Sequence, residues 1–576
     1  MTIDIKATAL DIEGEILTRS GGLPAGITRA NLAADAAFTG MYAAIVAPAT
    51  GVLATDTALI QAAIDSASHV ALPRTGTYVC GNLTITNKTN FVLESFGAKI
   101  QWSGTAAGGQ NIGIQLVGTL TNVTIRDMVL DGDAVAANGH AGIWCLSGQT
   151  FTNIKILNNY ITDVTLGISV GADTSGTCVG VLIDGNHLDN IVGTASGSGY
   201  GIHHATGTAT AAHARIVNNT VSRAQRHSIY QGKGSGVVIA NNTIRQHRTG
   251  VADSSVRAAL VVVRTNDCVV EGNVIDAFYD GGIEIAPTAG FTSRNVVVKG
   301  NILTGNQNAV AAIHIGSTAP ATDGTSSGVL VQGNLIYSSG VNAVAIRVYS
   351  ALRSRIVDNM IYALSGTAAF MMVDLVGTAE TAGTATYTDD LTVEGNLLYG
   401  TGTDTRGIRI DSALATSAAK VYFLHNRITA VGAGVNLYNS TAITNPNIVL
   451  LGNPDDLTFS GTVVPAVTAG RTALESLAIG AGGTKVTKHI RITQAIDFPS
   501  IAAHSTNDQL VNPAALTGIG STASILVTPD LNIGNGLMVM GIPTSGGGGI
   551  YVRMANVTTA AIDPPSLTFI IDVWIH

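Results

Sequence analysis

The segment Gly282-Ile283-Glu284-Ile285 belongs to a short pattern that recurs along the middle of the chain. Each copy reads small, apolar, variable and then, in most copies, apolar again. Successive side chains of a β-strand point to opposite faces, so the second and third positions of each copy face opposite sides. Related segments begin at Gly142, Gly167, Gly201, Ser228, Ala312, Ala345, Gly407 and Gly434.

The third positions of these copies predict an outward column of polar and aromatic residues beside an inward column of Ile and Val. Large polar side chains that recur at one outward position do not contribute to an apolar core. We therefore expect a binding face on a rigid scaffold. In chain order the outward column reads Trp144, Ser169, His203, Tyr230, Glu284, His314, Arg347, Arg409 and Asn436.

A second marker is an asparagine followed within two residues by Ile, Val or Leu. These asparagines are spaced by 23 to 37 residues, and a loose period near 30 indicates stacked repeats rather than a compact fold. With two or three strands per unit, the pattern predicts an all-β fold, a right-handed parallel β-helix of about ten to twelve coils. Asparagines at one turn of successive coils are expected to form a hydrogen-bonded ladder. The markers are Asn159, Asn186, Asn219, Asn242, Asn273, Asn301, Asn334, Asn359, Asn396, Asn426 and Asn453.

Composition excludes several classes of protein. Charged residues are 12% of the 576, about half of the usual share, yet 46% are hydrophobic, which argues against disorder. The net charge of −8 and the lack of a basic run predict no nucleic-acid partner. The chain contains no uninterrupted apolar run of the length that a membrane span needs, and its N-terminal residues lack the apolar core of a signal peptide. The four scattered cysteines read as buried thiols, and no motif implies a cofactor or a metal.

Three regions are expected. Residues 1–50 read as an N-terminal attachment segment, and residues 51–464 as the parallel β-helix with a short capping helix at its start. That helix is predicted over 55–65, with Thr55 or Asp56 as its N-cap, where it covers the open end of the first coil. Residues 465–576 alternate short strands with Pro and Gly turns, which predicts a C-terminal antiparallel β-sandwich.

Three features resemble bacteriophage tailspikes, the polysaccharide depolymerases of the pectate-lyase-like β-helix superfamily. They are the helix 56–64 followed by 70–78, the asparagine-marked coils, and the C-terminal segments 489–491, 497–503 and 552–558. The resemblance spans residues 50 to 576. It implies a homotrimer on the virion tail, attached to a tail or baseplate protein through the N-terminus, with the sandwich serving trimerisation or carbohydrate binding. It also implies cleavage of a bacterial surface polysaccharide, whether capsule, exopolysaccharide or O-antigen.

Hydrolysis of a glycosidic bond requires two carboxyl groups, about 5 Å apart for retention and about 6.5–9.5 Å apart for inversion. Members of the family carry their catalytic carboxylates on different coils, so no catalytic residue of this chain can be assigned from a shared motif. Glu284 is the best candidate because it lies outward in mid-strand, and Asp280 precedes a Gly-Gly turn that would fold it back beside Glu284. His314 should lie one coil away, about 4.8 Å. Alternatively, Asp280 is only a turn residue and Glu284 forms a charge ladder with Arg257, Arg264 or Arg347.

Substrate binding is predicted for His203, Tyr230, Arg257, Arg347 and Trp144. Aromatic faces stack on sugar rings, and arginines bind uronate carboxylates. The alternatives are surface ladders for these residues and, for Trp144, burial under a neighbouring subunit. Two other functions remain open: a polysaccharide lyase that uses His203, Tyr230 and Arg257, and a receptor-binding spike without activity.

Overall fold

The computed structural model describes residues 44–575 apart from several segments that connect its strands. Residue contacts divide the chain into two compact units, residues 1–277 and residues 278–576. The segments outside the description are 105–110, 134–138, 172–175, 194–197, 207–211, 248–257, 289–291, 306–310, 318–323, 339–343, 364–369, 377–387, 401–404, 411–418, 431–434, 440–447, 452–458, 461–476, 479–484, 487, 512–522, 530–536, 545–548 and 565.

In the first unit, parallel strands stack into three sheets that the chain visits in turn. The first sheet contains Ala44–Ile45, His69–Leu72, Thr89–Ser95, Thr119–Arg126, Thr150–Leu157, Thr177–Val179, Leu182–Asp184, Arg215–Val217, Gly234–Ala240 and Thr265–Glu271. The second contains Thr77–Cys80, Lys99–Trp102, Val129–Asp131, Tyr160–Val164, His187–Ile191, Thr220–Ser222, Thr243–Arg245 and Val274–Phe278. The third contains Leu83–Thr86, Ile112–Val117, His140–Cys145, Leu166–Val170, Tyr200–His204, His227–Gln231 and Ala258–Val263.

The second unit repeats this arrangement. Its first-sheet strands are Arg294–Lys299, Ser326–Ser327, Leu330–Gln332, Ala351–Val357, Asp389–Glu394, Val421–Leu424 and Ile448–Leu451. Its second-sheet strands are Ile302–Gly305, Leu335–Ser338, Met360–Ala363, Leu397–Gly400 and Arg427–Ala430. Its third-sheet strands are Gly281–Ala286, Ala311–Ile315, Val344–Val348, Phe370–Leu375, Thr405–Ile410, Val435–Asn439 and Phe459–Ser460.

Antiparallel sheets follow the solenoid. A two-stranded piece pairs Leu477–Ala478 with Lys485–Val486. One three-stranded sheet contains Lys488–Ile496, Leu567–Ile575 and Ser524–Pro529, and the other contains Thr506–Val511, Ile550–Asn556 and Leu537–Pro543. Their inner faces share one apolar core that includes Phe498, Val552 and Phe569. The predicted all-β class, a parallel solenoid after a helix and before antiparallel sheets, is confirmed.

The helix spans Leu53–Ser66 and packs against the strands His69–Leu72, Thr77–Cys80 and Leu83–Thr86, as predicted for a cap. Its N-cap residue is Val52, not Thr55 or Asp56. Asp56 is instead buried in the first turn, where its carboxylate accepts hydrogen bonds from Thr50, Gly51 and the Val79 amide, at 2.7 to 3.0 Å. The carboxylate therefore joins the helix to the second strand of the first coil. Within the described residues, no helix is long and apolar enough to cross a membrane.

The marker asparagines form the predicted ladder. In the first unit, each side-chain amide from Asn159 to Asn242 donates to the Oδ1 atom of the next marker asparagine at 2.8–3.0 Å. In the second unit, the same contact runs from Asn301 to Asn426 at 2.9 Å. The side-chain amides of Asn186, Asn219, Asn242 and Asn334 also donate to a strand carbonyl, so these buried groups are satisfied. Asn453 lies outside the described residues.

The residue before each marker asparagine has a left-handed backbone. It has a φ of 53° to 68° throughout, and it is Asn, Gly, Asp or His: Asn158, Gly185, Asn218, Asn241, Gly272, Gly300, Gly333, Asp358, Gly395 and His425. These residue types tolerate the left-handed region better than others. The sharp turn that starts each second-sheet strand is therefore encoded in two adjacent positions.

The glycine at the second position of some third-sheet strands is required by packing. A β-carbon on Gly201 would lie 2.6 Å from the Val221 side chain, and one on Gly282 would lie 2.5 Å from Leu303. The glycine therefore sits against the buried side chain of a second-sheet strand. The next residue, Ile202 or Ile283, is fully buried, and the one after it is partly exposed. The predicted alternation of inward and outward positions is correct here.

The strand register corrects the predicted outward column at three positions. In the first unit, Val261 follows Tyr230. In the second unit, Asp374 lies between Arg347 and Arg409, and the position after Arg409 is Tyr438 rather than Asn436. Loops of unequal length hide these registers from a count of residues.

Candidate functional site

Four aromatic rings meet on the outer side of the third sheet in the first unit. Tyr200 and His203 lie on one strand, and His227 and Tyr230 are their register partners on the next. The ring centroids of Tyr200 and His227 are 5.4 Å apart with nearly parallel planes, and those of His203 and Tyr230 are 5.3 Å apart. Tyr200 also meets Tyr230 edge-on at 5.5 Å. We call these four residues the aromatic cluster.

Hydrogen bonds fix the two imidazoles of the aromatic cluster. His203 Nδ1 lies 2.9 Å from the Ser169 hydroxyl oxygen, and His227 Nδ1 donates to the Ala258 carbonyl at 2.7 Å. The Arg226 guanidinium lies over Tyr200, 5.2 Å from its ring centroid. The cluster thus combines ring faces, oriented imidazoles, phenol hydroxyls and one cation, with Tyr200, His203 and Tyr230 partly exposed.

Trp144 does not offer an open ring face. It occupies the outward column one coil before Ser169 but is only 3% exposed, because it packs with Ala141, Leu166 and Tyr200. Its indole nitrogen is buried and has no hydrogen-bond partner among the described residues. The prediction that Trp144 stacks on sugar is therefore wrong for this arrangement, and the residue supports the aromatic cluster from below.

Two further residues of this region, the predicted Arg257 and the neighbouring His204, do not join the aromatic cluster. Arg257 lies outside the described residues. His204 points inward and is fully buried, with Nδ1 2.8 Å from the Gln231 amide oxygen. The structure thus brings together His203 and Tyr230 of the predicted binding set.

In the second unit, the outward column places unlike charges on adjacent coils. Glu284 is partly exposed in mid-strand, and His314 is its register partner on the next strand, as predicted. Arg347 follows His314, and Asp374 follows Arg347.

His314 is held neutral. Burial and, to a lesser extent, the nearby Arg347 charge lower its pKa to about 4, against an opposing hydrogen bond with the Gly316 backbone. The side chain is partly exposed, but its Nε2 atom is buried and has no hydrogen-bond partner within the part of the chain that the structure describes. Its ring meets Tyr349 edge-on at 4.9 Å. At neutral pH the ring is therefore an uncharged neighbour of Glu284.

Arg347 and Arg409 share one carboxylate. Asp374 is fully buried and accepts from Arg347 Nε at 2.9 Å and from Arg409 Nε and Nη2 at 2.6 and 3.1 Å. Arg347, predicted to bind substrate, is thus engaged with this carboxylate and lies beside Tyr349, 5.8 Å from the ring centroid. Both carboxylate oxygens of Asp374 are thus engaged by the two guanidinium groups.

Asp280 does not fold back beside Glu284. Residues Gly281–Ala286 form a continuous strand rather than a turn, so the two Cα atoms lie about 13 Å apart at about 3.3 Å per residue. Asp280 is also buried, at 1% exposure. The predicted facing pair of carboxylates is therefore not formed by these two residues.

The described residues contain no group of three or more His, Cys, Asp or Glu side chains arranged to hold a metal ion. The four cysteines are free thiols, three of them buried, in agreement with the expectation from sequence. Burial raises the pKa of Cys80 and Cys268 to about 12, so these thiols stay protonated at neutral pH.

Comparison with known proteins identifies the fold. The family model described as right handed beta helix region matches residues 173–324. No curated protein matches the chain in sequence. The expected resemblance to the right-handed β-helix superfamily is confirmed at the level of the fold.

Solved structures with this fold share little sequence with the chain. The A-module of Azotobacter vinelandii mannuronan C-5 epimerase AlgE6 is 19% identical, with a TM-score of 0.46 over 72% of this chain and 97% of that one. The tailspike of E. coli bacteriophage HK620, solved with a pentasaccharide, is 12% identical, with a TM-score of 0.44 over 92% and 91%. The catalytic unit of a GH87 α-1,3-glucanase from Streptomyces thermodiastaticus is 16% identical, with a TM-score of 0.41 over 75% and 69%.

Sequence reasoning missed three members of these sites. Tyr200 directly precedes the Gly201-Ile202-His203-His204 copy, and it is outward because Gly201 turns into the corner. Arg226 lies just before the next copy, outside the repeated positions. The third is Asp374, whose place in the outward column between Arg347 and Arg409 is hidden by loops of unequal length. The residue that precedes each glycine is the signal that finds Tyr200.

Proposed function

We propose that this protein binds a bacterial surface polysaccharide at the aromatic cluster and cleaves it there. The observation that carries the proposal is the meeting of Tyr200, His203, His227 and Tyr230 on one outer face with Arg226 beside them. Aromatic rings provide apolar faces for sugar rings, and their polar edges donate and accept hydrogen bonds. An arginine matches the planar carboxylate of a uronic acid.

The chemistry that these groups support best is β-elimination at a uronate. In the tautomer that donates Nδ1–H to Ser169 Oγ, His203 carries a lone pair on Nε2 that accepts the proton from C5 of the sugar. Arg226 stabilises the charge that develops on the carboxylate. Tyr230 donates its hydroxyl proton to the departing glycosidic oxygen at C4. The C4–O bond breaks and a C4=C5 double bond forms, so no water is consumed.

Hydrolysis at Glu284 is the second candidate, and one observation favours it. Glu284 is partly exposed in mid-strand with neutral His314 on the adjacent coil, a setting that suits a proton donor. Asp280 and Asp374 are both buried, so the second carboxylate of this mechanism has to come from elsewhere.

The product separates the two chemistries. Elimination yields an unsaturated uronate that absorbs in the ultraviolet, whereas hydrolysis yields saturated ends only. We expect wild-type protein to shorten a uronate-containing polysaccharide with rising absorbance, and His203→Ala to lose at least about 100-fold in rate. Loss of activity in Glu284→Gln with no absorbance would replace elimination by hydrolysis. Binding without any shortening would leave a receptor-binding spike.

The biological setting completes the proposal. Following the resemblance of the sequence, the chain acts as a homotrimeric spike on a phage tail, joined to the tail or baseplate through residues 1–50, with residues 51–464 as the solenoid and 465–576 as the terminal sandwich. A clearing halo on a lawn of host cells, produced by purified protein without phage replication, tests this setting.

A further inference from the structure

We propose that the outward face of the second sheet in the second unit is the surface through which copies of this chain associate. The inference deepens the homotrimer of the proposed function and rests on it. Four adjacent strands form this face: Ile302–Gly305, Leu335–Ser338, Met360–Ala363 and Leu397–Gly400. We call it the apolar face; its large outward residues are Ile302, Leu335, Met360, Leu397, Tyr337, Tyr362 and Tyr399.

The apolar face is exposed and uncharged. Ile302, Met360 and Tyr399 are 39%, 42% and 39% exposed, which is high for side chains of this size. None of the four strands contains a charged residue. Contiguous exposed apolar surface of this kind marks an interaction site.

The same sheet carries charged side chains in the first unit beside the exposed Tyr160 and Val274, so the fold does not require an uncharged surface. There, the register partners at the outward positions include His187 beside Thr220, Asp189 beside Ser222 and Arg245 beside Asp276. One sheet thus has two versions, one with charged side chains and one without, which indicates that the apolar face has a separate role.

The tyrosines are oriented for a protein partner rather than for a sugar. Tyr337 and Tyr362 stack on one another with centroids 5.1 Å apart and planes within 16°. Their faces are therefore turned toward each other, and their edges point outward. Tyr399 continues the row at 6.0 Å in a tilted arrangement. Tyrosine and methionine are enriched in the cores of protein interfaces, where charged residues are depleted.

The partner that fits best is a second copy of this chain. An uncharged face is matched by another uncharged face, whereas a nucleic acid, an acidic peptide or a lipid headgroup requires charged partners. The side chains of the apolar face repeat once per coil, about 4.8 Å apart. A partner with the same repeat keeps every contact in register along the face, and the solenoid of another copy has that repeat.

Sedimentation velocity of the full-length protein over a range of concentrations tests the assignment. Met360→Glu and Tyr399→Lys each place a charge on the exposed apolar face without disturbing the core. We expect wild-type protein to associate and each variant to need at least about tenfold more protein for the same degree of association. Thr243→Glu, on the version of the sheet with charged side chains, is the matched control and should associate as wild type does. Circular dichroism and thermal unfolding verify that each variant is folded.

Each outcome has a distinct meaning. Wild-type association that both variants retain places the contact on another surface and overturns this inference while leaving the homotrimer in place. Wild-type protein that stays monomeric at every concentration overturns the homotrimer and this inference together. Equal loss of association in Thr243→Glu shows a general effect of added charge and also counts against the apolar face. Polysaccharide cleavage, measured on the same samples, tests the enzymatic proposal separately.

Discussion

Replacing one asparagine of the buried ladder should loosen its neighbour on the preceding coil. Asn242 accepts at Oδ1 from the Asn219 backbone amide at 2.9 Å and from its side-chain amide at 3.0 Å. It donates through Nδ2 to the Ile216 carbonyl and to Asn273, both at 2.9 Å. Asn242→Ala removes all four bonds and leaves the buried Asn219 N–H without its acceptor.

The expected cost follows from that orphaned donor. An unsatisfied buried group costs about 1–3 kcal/mol, and weakening of the other three contacts brings the total to about 3 kcal/mol. At about 1.4 kcal/mol for each factor of ten, the equilibrium for local opening rises about 100-fold. Hydrogen exchange measured by mass spectrometry should therefore show about 100-fold weaker protection at Asn219.

Thr243→Ala is the matched control, because Thr243 is the next residue and faces outward. Its effect on protection at Asn219 should be within about twofold, as is usual for a surface substitution. If the two variants exchange alike at Asn219, the ladder contributes nothing to the cohesion of the coils and the reasoning is refuted.

Three further predictions concern buried charges and pH. Asp374→Ala leaves two arginines around one buried site, so it should lower the free energy of unfolding, measured in denaturant, by about 3–5 kcal/mol. Asp508→Ala, which removes an exposed ion pair, should lower it by less than about 1 kcal/mol. Burial raises the pKa of Asp56, but the hydrogen bonds that its carboxylate accepts outweigh burial and lower the pKa overall. The contribution of Asp56 to the stability of the fold is therefore complete above about pH 4 and is lost at more acid pH. Asp56→Ala should remove this part of the acid sensitivity of thermal unfolding. Because the pKa of His314 is lowered to about 4 in the folded state, the unfolded chain binds a proton that the folded chain does not. The stability of the fold should therefore decrease as the pH drops from about 6.5 toward 4. A His314→Gln variant whose melting temperature follows the wild-type pH profile would contradict this.

The sequence was sufficient for the repeating part of the fold. The marker asparagines lie in a corner that only one geometry satisfies, so Asn186 or Asn334 reports its coil regardless of loop length. The small residue before each buried Ile or Val identifies a strand of the third sheet for a similar reason, because Gly201 and Gly282 have no room for a β-carbon. Local steric and hydrogen-bonding requirements of this kind can be recognised from a single amino-acid sequence.

The site was less predictable, because it depends on contacts between coils. Nothing near Trp144 in sequence shows that Leu166 and Tyr200 cover it. The register that brings Asp374 between Arg347 and Arg409 depends on loops of unequal length. Asp280 was misplaced because Gly281-Gly282 reads as a turn, whereas both glycines continue a strand. Alternation along one strand was predictable, but the partners across strands were not.

A crystal structure of the protein soaked with oligosaccharides from a uronate-containing bacterial surface polysaccharide tests the central claim most directly. The account predicts a sugar ring on Tyr200 and Tyr230, with a uronate carboxylate at Arg226 and C5 within reach of His203. A saccharide bound elsewhere, with the aromatic cluster left unoccupied, would contradict it.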